Sequence, residues 1–270
     1  SKKEKYHTFS LAKKSGGTRE ISSPNRLVKH IQSLLNFALQ QYYTPYPAAT
    51  GFVPGRSIVT NAKKHVNKKF VYNIDLEDFF PSITYGRVQA VLHKINFTKY
   101  KNSDIITYNK ESRTSSGTVH NDVARYIANI CCYDGKLPQG APTSPTVSNL
   151  VCKILDYKLY KLAEKNGLTF TRYADDITFS SNQQVFTEEL KGDIADVIVA
   201  QGFKLNANKE RLQIYGKTDD GILHRDRQEV TGITVNKRTN VSKAYVRNLR
   251  AALHNWETTS YKEASVKHEQ

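Results

Sequence analysis

The stretch "TRYADDITFS", residues 171–180, sets two adjacent carboxylates, Asp175 and Asp176, among residues suited to a buried strand. Phe170, Tyr173, Ile177, Thr178 and Phe179 are aromatic or β-branched, the types that fit a pleated, half-buried surface. An acidic pair between two such runs predicts a β-hairpin with its tight turn at Asp175–Asp176, since Asp tolerates turn conformations. A second strand pattern, Phe70 to Ile74, delivers Asp75 at its end. Taken alone, Asp75 reads as a helix N-cap or a turn residue. Set beside the hairpin tip on a neighbouring strand, it would supply the oxygen ligands that hard cations take: Mg²⁺ uses one or two carboxylates plus substrate phosphates. Two such ions roughly 3.5–4 Å apart can stabilise the attacking and leaving oxygens of an in-line phosphoryl displacement. Spacing by itself does not bring the three carboxylates together.

Composition narrows the partners. The chain has 270 residues, 39% hydrophobic and 24% charged, which fits one large or two modest soluble globular domains. No apolar run approaches bilayer length and no signal peptide opens the chain, so a cytoplasmic location is expected. The net charge of +15 points to a polyanionic partner. Basic residues are interleaved with many of the 16 tyrosines rather than gathered on one amphipathic helix, which favours nucleic acid over a membrane surface. Cys131, Cys132 and Cys152 lack C-x-x-C spacing, so neither a zinc site nor a disulfide framework is expected. The absence of methionine predicts a trimmed sequence.

"KKSGGTREIS" (13–22) predicts a hairpin turning at Gly16–Gly17, with Lys13, Lys14 and Arg19 on its arms. A helix follows, with Ser23 as N-cap and Pro24 at its first position; Leu27, Val28, Ile31, Leu34, Leu35, Ala38 and Leu39 keep helical spacing. Further helices are expected at 85–95 and 186–201, and one long amphipathic helix after the loop "LPQGAPTSP" (137–145), with a polar surface insertion near 98–120. "RQEVTGITVN" (227–236) predicts a short strand pair. A helix in 242–257 would carry Arg247 and Arg250 on one side. Strands and helices alternate, giving an α/β or α+β protein.

"YADD" (173–176), with "NIDLEDFF" (73–80) upstream and "LPQGAPTSP" between them, resembles the reverse transcriptases, in the order that family uses for its palm. "NAKKH" (61–65) and "VTG" (230–232) resemble, more narrowly, the N-A-x-x-H and V-T-G elements of the retron reverse transcriptases. Each word is weak alone, but a chance chain would rarely hold all of them in order.

The resemblance implies a right-hand polymerase with fingers (1–70), a palm holding the remaining fingers segment (71–225), and a primer-grip region opening a partial thumb (226–270). It makes Asp75, Asp175 and Asp176 the ligands of two Mg²⁺ ions, which Mn²⁺ could replace, together with the Leu76 carbonyl. Asp176 is expected to be the more peripheral. Deoxynucleotide triphosphates would meet Arg19, Lys13 or Lys14, the stretch Leu76, Glu77, Asp78 and Phe79, with the amides of Leu76 to Asp78 on the phosphates, Gln139, and Phe80 as the steric gate against a 2′-hydroxyl. Lys209 is placed like a residue that protonates departing pyrophosphate. Tyr173, Ala174, Thr231 and Gly232 would lie along primer and template, and Asn61, Lys64, His65, Tyr245, Arg247 and Arg250 along RNA. His65 alone makes no case for a metal or acid–base role.

The same resemblance implies a bacterial enzyme that copies a structured non-coding RNA, acting as template and primer, into cDNA, in phage defence with an effector protein. Alternatives remain at this point. They are a group II intron-like or other defence-associated reverse transcriptase, a catalytically idle RNA-binding scaffold, and an RNA-synthesising polymerase, against which Phe80 speaks.

Overall fold

The computed structural model describes residues 5–12, 16–42, 44–95 and 121–258. Lys13, Lys14 and the insertion expected near 98–120 lie outside the described residues. Strands β1 (Tyr6–Ala12) and β2 (Thr18–Pro24) pair as the expected antiparallel hairpin. The strand runs through Pro24, however, so Ser23 does not cap the next helix. Asn25 does: its Oδ1 accepts the Val28 amide at 2.9 Å, and α1 spans Arg26–Tyr42. Helix α1 also buries a narrower stripe than its apolar spacing predicts. Gln32 and Leu39 are buried while Leu27, Ile31 and Leu34 are exposed. Gln32 earns its place by donating to Tyr6 Oη and to the Ile130 carbonyl, both at 2.7 Å.

The middle of the chain forms α2 (Ile58–Lys63), β3 (Phe70–Asp75), the short α3 (Phe79–Ser82), α4 (Tyr85–Leu92) and α5 (Asn121–Cys131). The long helix expected after the Pro/Gly loop is two, α6 (Ser144–Val151) and α7 (Lys153–Lys165), interrupted at Cys152. Then follow β4 (Thr169–Tyr173), β5 (Asp176–Ser181), α8 (Glu188–Ala200), a 3₁₀ turn at Ala207–Lys209, β6 (Arg211–Lys217), β7 (Leu223–Arg225), β8 (Glu229–Val230), β9 (Ile233–Thr234) and α9 (Lys243–Thr258).

One antiparallel sheet, in the order β4-β5-β3-β6-β7, organises these elements, and its segregation from the helices makes the fold α+β. All six residues of β3 are buried, because both faces of the strand are covered. Tyr72 and Ile74, with Phe170, Ile177 and Phe179 of the neighbouring strands, pack on Leu155 and Leu159 of α7 and Ile194 and Ile198 of α8. Each such fully buried side chain contributes roughly 1.5–3 kcal/mol. Val71, pointing the other way as strand alternation requires, packs on Ala62 of α2 and on Val230, Ile233 and Val235 around the β8–β9 hairpin. Among the described residues no helix is long and apolar enough to cross a membrane.

Candidate active site

The sheet register decides how the three carboxylates meet. Strands β3 and β5 pair so that Asp75 lies directly opposite Asp176, on the face shared by Asn73 and Thr178, which are hydrogen-bonded at 2.9 Å. The opening stretch does form a hairpin, but its turn is Ala174–Asp175, because Tyr173 pairs with Asp176, the first residue of β5. The turn lies one residue earlier than the acidic pair predicts, since Ala is an unexpected occupant of a left-handed position. Ala174 nevertheless holds φ +57°. Asp175 therefore sits in the turn itself, and its carbonyl accepts the Leu76 amide at 3.1 Å, which ties the turn to the end of β3. Asp75 is buried, Asp175 half-buried and Asp176 exposed.

Two of these carboxylates, Asp175 and Asp176, are harder to ionise than usual. Asp175 is raised above the usual carboxylate range by burial first and then by Asp75, with Lys209 and Arg19 opposing. Asp176 faces solvent in part, yet desolvation, then Asp175 and Asp75, push it up to about 6. Lys209 Nζ lies 2.9 Å from Asp75 Oδ2, and Asn206 Nδ2 lies 3.5 Å from Oδ1. Asn206 and Arg211, which partly offsets the charge on Asp176, are site neighbours that sequence reading missed; both flank Lys209 in "LNANKERL". The donor chemistry fits a hard divalent cation, which takes few protein carboxylates and leaves other positions to substrate phosphates. An all-protein cage is not assembled: among the described residues no group of three or more His, Cys, Asp or Glu side chains is placed to hold a metal.

Beside this acidic end, Arg19, Glu20, Asp78, Lys136 and Gln139 line a cleft of about 400 Å³. The Gln139 carbonyl accepts the Ser22 amide at 2.8 Å, which joins the loop 137–145 to β2. Gly140 permits that approach: at φ +116°, a Cβ there would sit 3.1 Å from Ile21 Cγ2 and 3.2 Å from the Ser22 carbonyl. Lys136 was not singled out by sequence reading. Phe80 is partly buried and continues an aromatic row, 6.1 Å from Phe52, which in turn lies 6.2 Å from Tyr173. Phe79 is core, 3% exposed and stacked on Phe203 at 5.8 Å, so its side chain is withdrawn from any nucleotide. The expected use of the 76–78 amides for phosphate is also corrected in part. Leu76 N is bonded to Asp175 and Glu77 N to the Lys204 carbonyl at 2.8 Å, while the Glu77 carboxylate pairs with Lys204.

The "NAKKH" and "VTG" words come together, with Asn61 and His65 turned inward while Lys63, Lys64 and Gly232 are exposed. Asn61 and His65 are buried, at 1% and 0% exposure. Asn61 Oδ1 accepts from Thr50 Oγ1 at 2.7 Å, and its Nδ2 lies 3.5 Å from Thr231 Oγ1. The His65 ring spans Ser180 Oγ and Thr171 Oγ1, both at 2.7 Å. Both side chains are turned inward: Asn61 ties α2 to Thr50, and His65, just beyond α2, bonds the sheet. Lys64 donates to the Pro47 carbonyl at 2.9 Å. Thr231 and Gly232, at φ +48° and +78°, form the two-residue turn between β8 and β9. Tyr245, Arg247 and Arg250 are exposed on α9.

Comparison with known proteins accounts for this arrangement. Residues 11–241 match the model of the family described as "Reverse transcriptase (RNA-dependent DNA polymerase)". The retron Mx65 and Mx162 reverse transcriptases of Myxococcus xanthus are 35% and 33% identical over 92% and 93% of this chain. The chain spans 55% and 52% of those two proteins, about half their length. The retron Ec86 reverse transcriptase of Escherichia coli is 29% identical over 93% of this chain and 69% of its own. Among solved structures, telomerase from Candida albicans shares the fold with a TM-score of 0.54 at 11% identity, over 88% of this chain and 46% of that one. With the family model covering most of its length and a right-hand polymerase fold around the acidic strand ends, the chain belongs to the reverse transcriptase family.

Proposed function

We propose that this chain is the catalytic part of a retron-type reverse transcriptase, an RNA-directed DNA polymerase that copies a structured RNA using deoxynucleoside triphosphates. The observation that carries the reading is the placement of Asp75 opposite Asp176, with Asp175 in the adjoining turn and a cleft beside them that holds Arg19, Lys136 and Gln139. Divalent cations, Mg²⁺ or Mn²⁺, would stabilise the attacking and leaving oxygens of the phosphoryl transfer. Asp75 and Asp175 would hold them, with Asp176 as the peripheral third carboxylate.

The chain's own residues supply the remaining work. Arg19 presents a guanidinium fork suited to phosphate oxygens, and Gln139 on the same cleft offers an amide to the incoming sugar. Phe80, anchored by Phe79 and Phe52, offers a flat ring where a 2′-hydroxyl would need room. Lys209, now on Asp75, is within one side chain's reach of the site where pyrophosphate leaves. The β8–β9 turn and the exposed face of α9 would meet primer and template. The RNA that serves as template and primer, its cDNA, a bacterial cytoplasmic setting and an effector protein in phage defence belong to the same proposal.

The test is primer extension on a short RNA template with Mg²⁺ and dNTPs at low salt, wild type beside Asp175→Asn. Loss of DNA synthesis by roughly a thousandfold or more in the variant is expected, since a carboxylate that would hold the catalytic cations is removed. Equal synthesis by both proteins would sink the assignment of Asp175. No synthesis by wild type on any RNA, with RNA binding intact, would favour a binding scaffold.

A further inference from the structure

We propose that Arg172 is a positioning residue for the acidic turn: its buried guanidinium, seated on Asp156 and Asn149, holds the Ala174 carbonyl and so fixes the peptide that presents Asp175. This rests on the reading of Asp175 as part of the polymerase site.

Arg172 and Asp156 are both completely buried. Nε and Nη2 of Arg172 donate to the two Asp156 oxygens at 2.6 and 2.7 Å, and Nη2 also to Asn149 Oδ1 at 3.0 Å. Nη1 donates to the Ala174 carbonyl at 3.0 Å. A buried ion pair of this kind is poor value for stability, because packed apolar residues of the same volume often do as well or better. Its position two residues before the turn gives it another use. Ala174 is held in a left-handed conformation that costs an L-residue roughly 1–2 kcal/mol, so the turn needs an external grip to stay in it. The carbonyl gripped by Arg172 belongs to the planar peptide that joins Ala174 to Asp175.

A second grip comes from the neighbouring backbone. Residues 48–51 run beside β4: Arg172 N donates to the Ala48 carbonyl at 2.9 Å, and Thr50 N to the Arg172 carbonyl at 2.8 Å. Gly51 then lies flat on the turn, its carbonyl held by Asn149 Nδ2 at 2.8 Å. A Cβ on Gly51 would sit 2.5 Å from Ala174 N and 2.9 Å from the Tyr173 carbonyl carbon, closer than packed atoms allow. Asn149 thus serves both grips. The acidic turn is fixed by a guanidinium and by the close approach of the Gly51 backbone.

The experiment compares full-chain wild type with Arg172→Lys, which keeps a cation for Asp156 but gives up the fork, and Gly51→Ala, which disturbs no charge. Ile198→Val, in the α8 core away from the turn, controls for lost stability. Each protein is melted with and without Mn²⁺, and the Mn²⁺ concentration for half-maximal primer extension is measured. Both turn variants should melt cooperatively, require at least tenfold more Mn²⁺, and show a smaller Mn²⁺-induced rise in melting temperature. Ile198→Val should melt earlier with wild-type Mn²⁺ dependence. Turn variants that only melt earlier, with half-saturation and Mn²⁺-induced rise unchanged, would overturn the proposal. If Arg172→Lys does not fold, Gly51→Ala decides alone. If wild type makes no DNA, the polymerase reading fails, while the Mn²⁺-induced rise still decides whether Arg172 and Gly51 set the turn.

Discussion

His65 offers a quantitative test of the claim that the "NAKKH" element is internal scaffolding. Its ring is fully enclosed and hydrogen-bonded at both nitrogens to Ser180 and Thr171. Burial, aided by Lys64 and Lys68, lowers its pKa to about 3, against roughly 6.5 for an unfolded histidine. A base whose folded pKa is depressed binds fewer protons when folded. Its contribution is therefore fully present above about pH 6.5 and lost as pH falls toward 3. Between pH 7 and pH 5 the loss comes to about 2 kcal/mol by that linkage, worth roughly 4–8 °C in melting temperature for a domain of this size. The raised pKa of Asp176 acts with the opposite sign as pH falls through 6, so a single pH series is ambiguous. The assay is a difference: metal-free unfolding of wild type and His65→Gln at pH 7, 6 and 5. The variant loses one of two buried hydrogen bonds and should be less stable by about 1–3 kcal/mol at pH 7. The gap should then narrow by about 2 kcal/mol at pH 5, since Asp176 titrates in both proteins. Parallel pH curves would refute the buried, neutral imidazole, and with it the reading of this element as scaffold.

Two further outcomes follow from the acidic end of the sheet. Asp176 is destabilising above about pH 6, because its folded pKa lies above the unfolded one. Asp176→Asn should thus raise the metal-free melting temperature at pH 7, by the equivalent of about 1 kcal/mol or less given solvent screening, while lowering DNA synthesis. A melting temperature that falls in calorimetry would contradict the electrostatics described above. Phe80→Ala should reduce discrimination between dNTPs and NTPs by roughly ten- to hundredfold in a competition assay, the range open to a change in pocket shape. Unchanged discrimination would remove Phe80 from the sugar pocket.

The parts of the site that were legible in the sequence share one property: their signal is local. Alternation of β-branched and aromatic residues marked β3, β4 and β5, and a Gly-Gly pair marked the β1–β2 turn. The misplaced features depend on partners distant in the chain. The Ala174–Asp175 turn lies one residue from its expected place because Leu76 and Arg172 hold a conformation that Ala does not favour. Helix α1 buries Gln32 in preference to Leu27 because Tyr6 and Ile130 stand ready to bond it. Asn61 and His65 looked like surface residues of a basic word, and no periodicity in five residues could reveal that Thr50, Ser180 and Thr171 enclose them.

These long-range partners also explain how the fold tolerates an end that is locally unfavourable. Burial and the neighbouring carboxylates raise the cost of ionising Asp175 and Asp176, and Ala174 and Thr231 both sit at positive φ, a conformation that is uncommon for Ala and an outlier for β-branched Thr. Each strained point is tied to buried polar groups rather than to solvent. Ala174 is bonded to Arg172, Arg172 to Asp156 and Asn149, Arg172's own carbonyl to Thr50, Thr50 to Asn61, and Asn61 reaches Thr231. Strain of this kind persists only where the surroundings over-determine it, and here the apolar packing of Phe170, Phe179, Leu155 and Ile194 supplies the stability that offsets it. The polar chain runs from the β8–β9 turn to the acidic turn, so the two segments proposed to hold the primer and the metals are built on one rigid support. A change at either end should therefore be felt at the other as geometry before it is felt as unfolding.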